Sequence, residues 1–192
     1  MTVLGVLLAA GGGRRYTGPT HKLLAPLRGR PVWQWSLEHL LAAGFEHTLV
    51  VTGAAPLDVT TAATDGCSVV HNADWASGQA SSLQLAMAHG TTLGVDALVI
   101  GLADQPFVEP ATWRAVADAD PSYPIVVTDY DGRRGPNPVR LDRRIWPLLP
   151  LTGDEGARRV LRDHPAWVCS VTGLGSAADI DTLEDLERWT NC

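Results

Sequence analysis

Residues 3–13 read VLGVLLAAGGG, an apolar segment that runs directly into three glycines. The apolar part, Val3 to Ala9, has the length and aliphatic content of a buried β-strand. The glycines leave backbone N–H groups without Cβ atoms beside them, so that a small anion such as phosphate can approach. This strand and loop predict the first unit of an α/β fold with a phosphate-binding loop. A flexible turn is the alternative interpretation of the glycines.

The remaining chain alternates apolar segments of strand length with amphipathic segments of helix length. Strands are predicted at residues 48–51, near 69, and at 97–102, 125–128 and 167–171. Helices are predicted at residues 33–43, 56–64, 81–89, 110–117, 143–149 and 155–162, with a last helix capped by Thr182. Residues 131–138, rich in Gly, Arg and Pro, are predicted to form a loop that leaves the sheet. The alternation predicts one α/β domain over residues 1–192 with a mostly parallel sheet.

Charge and composition exclude several classes of protein. The formal net charge of −6 disfavours a nucleic-acid binder, which needs a positive surface. No apolar run is long enough to cross a membrane, and the N-terminus lacks the basic region of a signal peptide. Cys67, Cys169 and Cys192 are odd in number and lack metal-ligand spacing, which favours a reducing cytoplasm. Residues 14–30 are basic without any acidic residue, so they either attract a small anion or form a solvated loop.

Three loops that follow strands contain the candidate ligand-binding and metal-binding residues. In an open parallel sheet, ligands bind beyond the carboxyl ends of the strands, where the strand order reverses. Residues 11–22, 104–106 and 179–181 are expected to meet there. Asp104 follows an apolar strand and suits Mg²⁺, which prefers oxygen ligands. The alternatives are that Asp104 only forms a turn and that the aspartates at 179–181 only begin the last helix.

Two common nucleotide motifs do not fit. The dinucleotide fingerprint would require glycine in place of Tyr16 and an acidic residue near Gly53. The P-loop would require Gly-Lys-Ser/Thr, but Lys22 is followed by Leu23. A nicotinamide-dependent oxidoreductase and a P-loop kinase are therefore disfavoured.

Residues 8–15 read Leu-Ala-Ala-Gly-x-Gly-x-Arg, and Lys22 follows Arg15 by seven positions. This pattern resembles nucleotidyltransferases of the sugar-nucleotide pyrophosphorylase type, in particular the molybdenum cofactor cytidylyltransferase (MobA-like) group. The resemblance implies a Rossmann-like three-layer fold of the nucleotide-diphospho-sugar transferase type. It implies that Arg15 and Lys22 bind triphosphate oxygens and act in catalysis with Asp104. The nucleotide would be wrapped by a loop whose residues are Leu8, Ala9, Ala10, Gly11, Gly12 and Gly13.

Further segments extend the resemblance towards residue 189. Residues 179–186 are similar to the family signature Asp-Ile-Asp-Thr-Pro-Glu-Asp-Leu, whose second aspartate is a metal ligand. The resemblance implies that Asp181 holds Mg²⁺ together with Asp104. Leu183 replaces the usual proline, which puts the rigidity of this loop in doubt. Residues 153–158 also match the family, with the start of a helix as the alternative role.

The base and the acceptor have candidate contacts in two other loops. Within residues 72–83, Gly78 and Ser82 are the predicted nucleotide contacts; a helix start capped by Ser81 is the alternative. Residues 135–138 resemble the family's acceptor loop, which makes Asn137 the acceptor contact. Three nearby arginines would attract an anionic pterin phosphate or would only be solvated: Arg133, Arg134 and Arg140.

The resemblance implies transfer of CMP from CTP to molybdopterin, a cofactor destined for a molybdenum hydroxylase. An acceptor phosphate oxygen would attack the α-phosphorus without a protein nucleophile. Ala10 favours a pyrimidine nucleotide, because guanylyltransferase relatives usually carry glycine there. The alternatives are a guanylyl- or uridylyltransferase and a non-catalytic cofactor-binding chaperone.

Overall fold

The computed structural model describes residues 1–59, 66–154 and 157–190, with the side chains of residues 133–136 left aside. Within them the strands are β1 (Val3–Ala9), β2 (Pro26–Leu27), β3 (Arg30–Pro31), β4 (His47–Thr52), β5 (Cys67–His71), β6 (Ala97–Leu102), β7 (Ile125–Tyr130), β8 (Arg133–Asp142) and β9 (Val168–Thr172). The α-helices are α1 (Val32–Ala42), α2 (Gln79–Leu93), α3 (Pro110–Asp118), α4 (Arg158–Asp163) and α5 (Leu183–Thr190). Short 3-10 helices cover Lys22–Leu24, Trp75–Ser77, Arg143–Leu148 and Pro165–Trp167.

Seven strands form one sheet in the order β5-β4-β1-β6-β8-β7-β9, and β2 pairs with β3 in a small hairpin. The central strand β1 is parallel to both β4 and β6. Strand β8 is antiparallel to β6 and to β7, and β9 is parallel to β7. The strand β8 therefore runs against the other six, and the prediction of a mostly parallel α/β sheet is confirmed.

The register of β1 positions the site. Ala9 pairs with Thr52 at the end of β4, and Leu8 pairs with Leu102 at the end of β6. The chain leaves β1 towards β4 on one side and returns to β6 on the other, so the strand order reverses at β1. The loops after β1 and β6 therefore begin side by side at the place where α/β sheets bind ligands.

Alternate side chains of β1 pack into two apolar layers, one on each face of the sheet. Leu7 and Ala9 belong to the layer under α1 and α3, which includes Trp33 and Trp113. Leu4, Val6 and Leu8 belong to the layer under α2. Because the sheet is covered on both faces, its central strands are apolar throughout. This arrangement confirms the expected three layers.

The element boundaries agree with the sequence except in four places. The predicted loop at residues 131–138 is wrong: only Asp131 and Gly132, both with positive φ, turn the chain into β8. The sequence did not indicate this strand because it contains glycine and two prolines, which normally end strands. A register shift between Val126 and Thr128, in the pairing of β7 with β8, accommodates these residues. The helix at 143–149 is a 3-10 helix. The prediction of a helix at 56–64 is wrong for residues 56–58, which form no helix, and residues 60–64 of it lie outside the described residues. The start of the helix predicted at 155–162 falls on residues 155–156, which also lie outside them.

Among the described residues, no helix combines the length and the apolar character that a membrane crossing requires. Cys67 and Cys169 are free thiols, and Cys192 lies outside the described residues.

Candidate active site

Three loops meet around the side chain of Lys22. Its Nζ donates to Asp104 Oδ2 at 2.5 Å and to Asp181 Oδ1 at 2.7 Å. The backbone N–H of Ile180 donates to the carbonyl of Asp104 at 2.9 Å, which ties the second and third loops together. The geometry thus brings together side chains that are far apart in the sequence.

Lys22 is buried, with 8% of its surface exposed. Burial disfavours its charged form, but the carboxylates of Asp104 and Asp181 outweigh burial and raise the pKa of Lys22. The ammonium group is therefore a fixed positive charge between two carboxylates.

Arg15 holds the second carboxylate from the solvent side. Its Nη2 lies 2.6 Å from Asp181 Oδ2, and its side chain is largely exposed. Burial would raise the pKa of Asp181, but the hydrogen bond and charge of Lys22, with help from Arg15, lower it. Both oxygens of Asp181 are engaged, so the carboxylate faces these two cations and does not cap α5. Thr182 Oγ1 accepts the N–H of Asp185 at 3.1 Å, which confirms the predicted cap.

One carboxylate oxygen of Asp104 accepts no hydrogen bond from the described residues. Its Oδ2 accepts from Lys22, while Oδ1 is buried and has no hydrogen-bond partner in the described part of the chain. An unpaired buried carboxylate oxygen is costly unless a cation or donor reaches it. Hard oxygen donors of this kind fit a divalent cation such as Mg²⁺.

The neighbouring carboxylate of Asp179 behaves differently from Asp181. Burial, followed by the charge of Asp181, raises its pKa. In residues 1–59, 66–154 and 157–190, no group of three or more His, Cys, Asp or Glu side chains has metal-binding geometry. A cation held by Asp104 and Asp181 would therefore need further ligands, such as substrate phosphates.

The glycine loop forms one wall of a cavity of about 330 Å³ next to Asp104. A Cβ at Gly11 would meet nothing within 4 Å, whereas one at Gly12 would lie 2.9 Å from the Trp75 ring. Gly13 has a φ of +59°, a left-handed conformation that glycine adopts without strain. The loop thus presents bare backbone to the cavity, as phosphate binding requires.

His21 fixes the shape of this loop. Its Nδ1 accepts the N–H of Leu23 at 3.2 Å, so the ring proton is on Nε2, which donates to the carbonyl of Gly11 at 3.0 Å. Burial is the main cause that lowers the pKa of His21. From the sequence, His21 was identified only as one of the basic residues at positions 14–30. Its position next to Lys22 was the only sequence feature that indicated a structural role.

The predicted base contacts belong to the opposite wall. Ser82 is buried, lines the cavity and accepts from Asn72 Nδ2 at 2.8 Å. Gly78 precedes α2 with a φ of +113°. The alternative in which Ser81 caps α2 is wrong, because Ser81 Oγ donates to the Gly78 carbonyl. Instead, Asp154 Oδ1 accepts the N–H of Gln79 at 3.0 Å.

Of the three arginines near the acceptor loop, the structure describes the side chain of Arg140 alone. Arg140 is fully buried, so both alternatives for it, attraction of an anion and a solvated side chain, are wrong. Its guanidinium donates to four backbone carbonyls at the end of α3 and just after it, those of Ala117, Ala119, Asp120 and Tyr123. The side chains of Arg133 and Arg134 lie outside the described part of the structure. Asn137 is 7% exposed and lines a second cavity.

Some of the predicted site residues line the first cavity, and others lie outside its lining. Ala9 packs into the core, and Arg14 rather than Arg15 lines the cavity. Predicted residues that line it are Leu8, Ala10, Gly11, Gly12, Gly78, Ser82 and Asp104.

Comparison with known proteins gives the same fold and a family match. Residues 5–167 match the family described as MobA-like NTP transferase domain. Nicotine blue oxidoreductase of Paenarthrobacter nicotinovorans is 34% identical, over 97% of this chain and 95% of the relative. The structure of Rv0371c from Mycobacterium tuberculosis H37Rv in complex with manganese is 31% identical, with a TM-score of 0.79 over 100% of this chain and 99% of that one. A nucleotidyl transferase from Methanothermobacter thermautotroptrophicus shares the fold, with 23% identity and a TM-score of 0.83 over 99% and 96% of the two chains.

Proposed function

Because this chain belongs to the MobA-like NTP transferase domain family and is on that ground a nucleotidyltransferase, we propose that it transfers CMP from CTP to a molybdopterin-type phosphorylated acceptor. The observation that carries the proposal is the position of Lys22, which contacts Asp104 and Asp181 beside the bare glycine loop. Such a site concentrates positive charge and carboxylate oxygens where a triphosphate would lie.

An oxygen of the acceptor phosphate attacks the α-phosphorus of CTP. The bond from the α-phosphorus to the bridging oxygen of the β-phosphate breaks, and pyrophosphate leaves. Negative charge builds up on the phosphoryl oxygens, and the fixed charges of Lys22 and Arg15 stabilise it. The protein contributes position and charge, without a nucleophile of its own.

Asp104 and Asp181 would hold Mg²⁺, with the buried Oδ1 of Asp104 as the oxygen that lacks another partner. When bound, the cation supplies Lewis-acid stabilisation of the phosphate oxygens. The neighbour with 31% identity is described in complex with manganese, which is consistent with a divalent cation in this fold.

The choice of CTP rests on Ala10. Ala10 lines the cavity, and its methyl group lies close to Gly53, where an added Cβ would be 2.7 Å from it. A methyl group at this position would crowd the larger purine ring, which favours a pyrimidine nucleotide. The product would be the cytosine dinucleotide form of the cofactor, which a molybdenum hydroxylase would receive, and the cytoplasm is the proposed location.

The test is a panel of CTP, GTP, UTP and ATP, each with Mg²⁺ and the molybdenum-loaded pterin, with pyrophosphate release as the readout. We expect the fastest release with CTP and loss of release without Mg²⁺. Faster release with GTP or UTP would replace the cytidylyl assignment by one of those activities. Pterin binding without any release would favour the chaperone.

An oxidoreductase is a second candidate, favoured by the name of the relative with 34% identity. Against it, Tyr16 and Gly53 stand where the dinucleotide fingerprint requires glycine and an acidic residue. Titration with NADH and NADPH separates the two classes. Saturable binding of either would support the oxidoreductase, and absence of binding would remove it.

A further inference from the structure

A second cavity, of about 190 Å³, adjoins the nucleotide cavity. The two cavities share Leu8, Gln79 and Leu102 in their linings. A ligand in the second cavity can therefore extend towards Asp104 and the glycine loop. Its volume is below the ~300–1,000 Å³ of pockets for drug-sized ligands, so it suits one small ring system.

The walls of this cavity are mainly apolar. They come from β6, β7 and β8 and from α2 and α4, and their apolar side chains include Leu83, Ile100, Val127, Val139, Leu141 and Leu161. The face of a planar ring buries apolar area against such side chains. A sugar carries hydroxyl groups all around its ring, and those that meet the apolar side chains would lose their water without gaining partners.

Gln105 supplies a specific polar contact. Its side chain is only 4% exposed, and its Nε2 donates to the carbonyl of Ala177 at 3.1 Å. That bond fixes the amide, while the buried Oε1 has no hydrogen-bond partner within the described residues. Gln105 lines the cavity, and an acceptor left without a partner at such a wall can be satisfied by the N–H group of a ligand.

Asn137, on β8, is a second amide side chain in the lining of this cavity. It is 7% exposed, lines the same cavity, and its backbone carbonyl accepts from Thr128 Oγ1 at 2.9 Å. Arg158 and Asp179 are the charged residues in the described lining. One cation and one carboxyl group give the cavity no strong preference for either sign of charge.

We propose that this cavity binds the ring end of the acceptor, and that the ring is an uncharged planar heterocycle whose N–H group donates to Gln105 Oε1. Gln105 is then a specificity-determining residue, one position after Asp104 in the sequence. The inference rests on the proposed function only in placing the acceptor's phosphate at the wall shared by the two cavities.

The test is a fluorescence titration with unsubstituted pterin, a planar heterocycle that has no phosphate. We expect saturable binding to the wild-type protein, a loss of about tenfold in affinity for Gln105→Leu, and no binding to Val139→Phe, which fills the cavity. Gln84→Leu is the matched control, because Gln84 also donates to a backbone carbonyl but lies outside this cavity. We expect Gln84→Leu to bind pterin like the wild type.

CTP binding by the same variants, measured by calorimetry, reports whether they are folded. Unchanged pterin affinity in Gln105→Leu, or displacement of pterin by glycerol phosphate, would overturn the inference. Pterin binding that depends on Gln105 without any nucleotidyl transfer would support the inference while removing the proposed function. CMP transfer to the molybdenum-loaded pterin, together with unchanged pterin affinity in Gln105→Leu, would overturn the inference and leave the proposed function standing.

Discussion

Lys22 and Asp181 lie 159 positions apart in the sequence, yet Nζ and Oδ1 are 2.7 Å apart in a buried ion pair. The family match ends at residue 167, so this carboxylate comes from a segment beyond it. The last loop thus completes a site that the first loop begins. Lys22 is the link, since it also donates to Asp104.

Replacing Lys22 by methionine should lower kcat about 100- to 1,000-fold. The variant removes the charge proposed to stabilise the reacting phosphate and leaves two carboxylates close together. Steady-state kinetics with CTP and the acceptor would measure the loss. Arg15→Met, which removes an exposed cation from the same carboxylate, should have a smaller effect. Equal losses for the two variants would contradict the central position given to Lys22.

His21 should make stability depend on pH. Burial lowers its pKa in the folded protein below the usual value of 6.5. The unfolded chain therefore binds the proton more tightly, and stability should fall as the pH drops through 6.5 towards the folded pKa. His21→Gln should remove this part of the pH dependence. Urea unfolding of both proteins from about pH 8 to about pH 5 isolates the difference. Parallel curves would show that His21 does not contribute.

Gly11→Ala should weaken CTP binding by at least about tenfold without changing stability. A Cβ at this position meets no protein atom within 4 Å, but it would occupy the cavity where a phosphate would approach. Calorimetric titration with CTP and thermal unfolding measure the two quantities separately. A variant that binds CTP normally would place the triphosphate elsewhere.

Arg140→Met should cost about 3 kcal/mol or more of unfolding free energy, because four buried or part-buried hydrogen bonds from a charged donor to backbone carbonyls would be lost. The guanidinium is fully buried and donates to four of them. Arg159→Met is the control, since its exposed pair with Asp163 should contribute at most ~0.5 kcal/mol. Urea unfolding measures both. A loss in Arg140→Met no larger than in the control would refute the structural role.

The sequence predicts the sheet and its first loop well because local signals agree there. Residues 3–9 and 97–102 are continuous apolar runs, and both form strands with the expected bounds. Strand β8 escaped because glycine and proline, which normally end strands, occur within it. Its pairing with β6 and β7 is a long-range property that composition does not reveal.

The sequence predicted which residues lie at the candidate site better than it predicted the contacts that their side chains make. Asp104 could be selected by its residue type and by the loop that carries it, whereas Asp181 was selected through the family resemblance. The cation between them is set by tertiary packing, and nothing local to Lys22 indicates that it bridges two carboxylates. Arg140 was considered for the acceptor site because it is a basic residue near a candidate loop. In the structure it is buried and donates to backbone carbonyls instead.

The most direct test of the account follows the label from CTP carrying a labelled α-phosphate, with Mg²⁺ and the molybdenum-loaded pterin, in wild-type protein and in Asp104→Asn. We predict that the label moves to the pterin phosphate in the wild type and that the variant transfers it at least about 100-fold more slowly. If the label stays in CTP, or moves equally fast in both proteins, then the paired carboxylates at 104 and 181 do not perform nucleotidyl transfer.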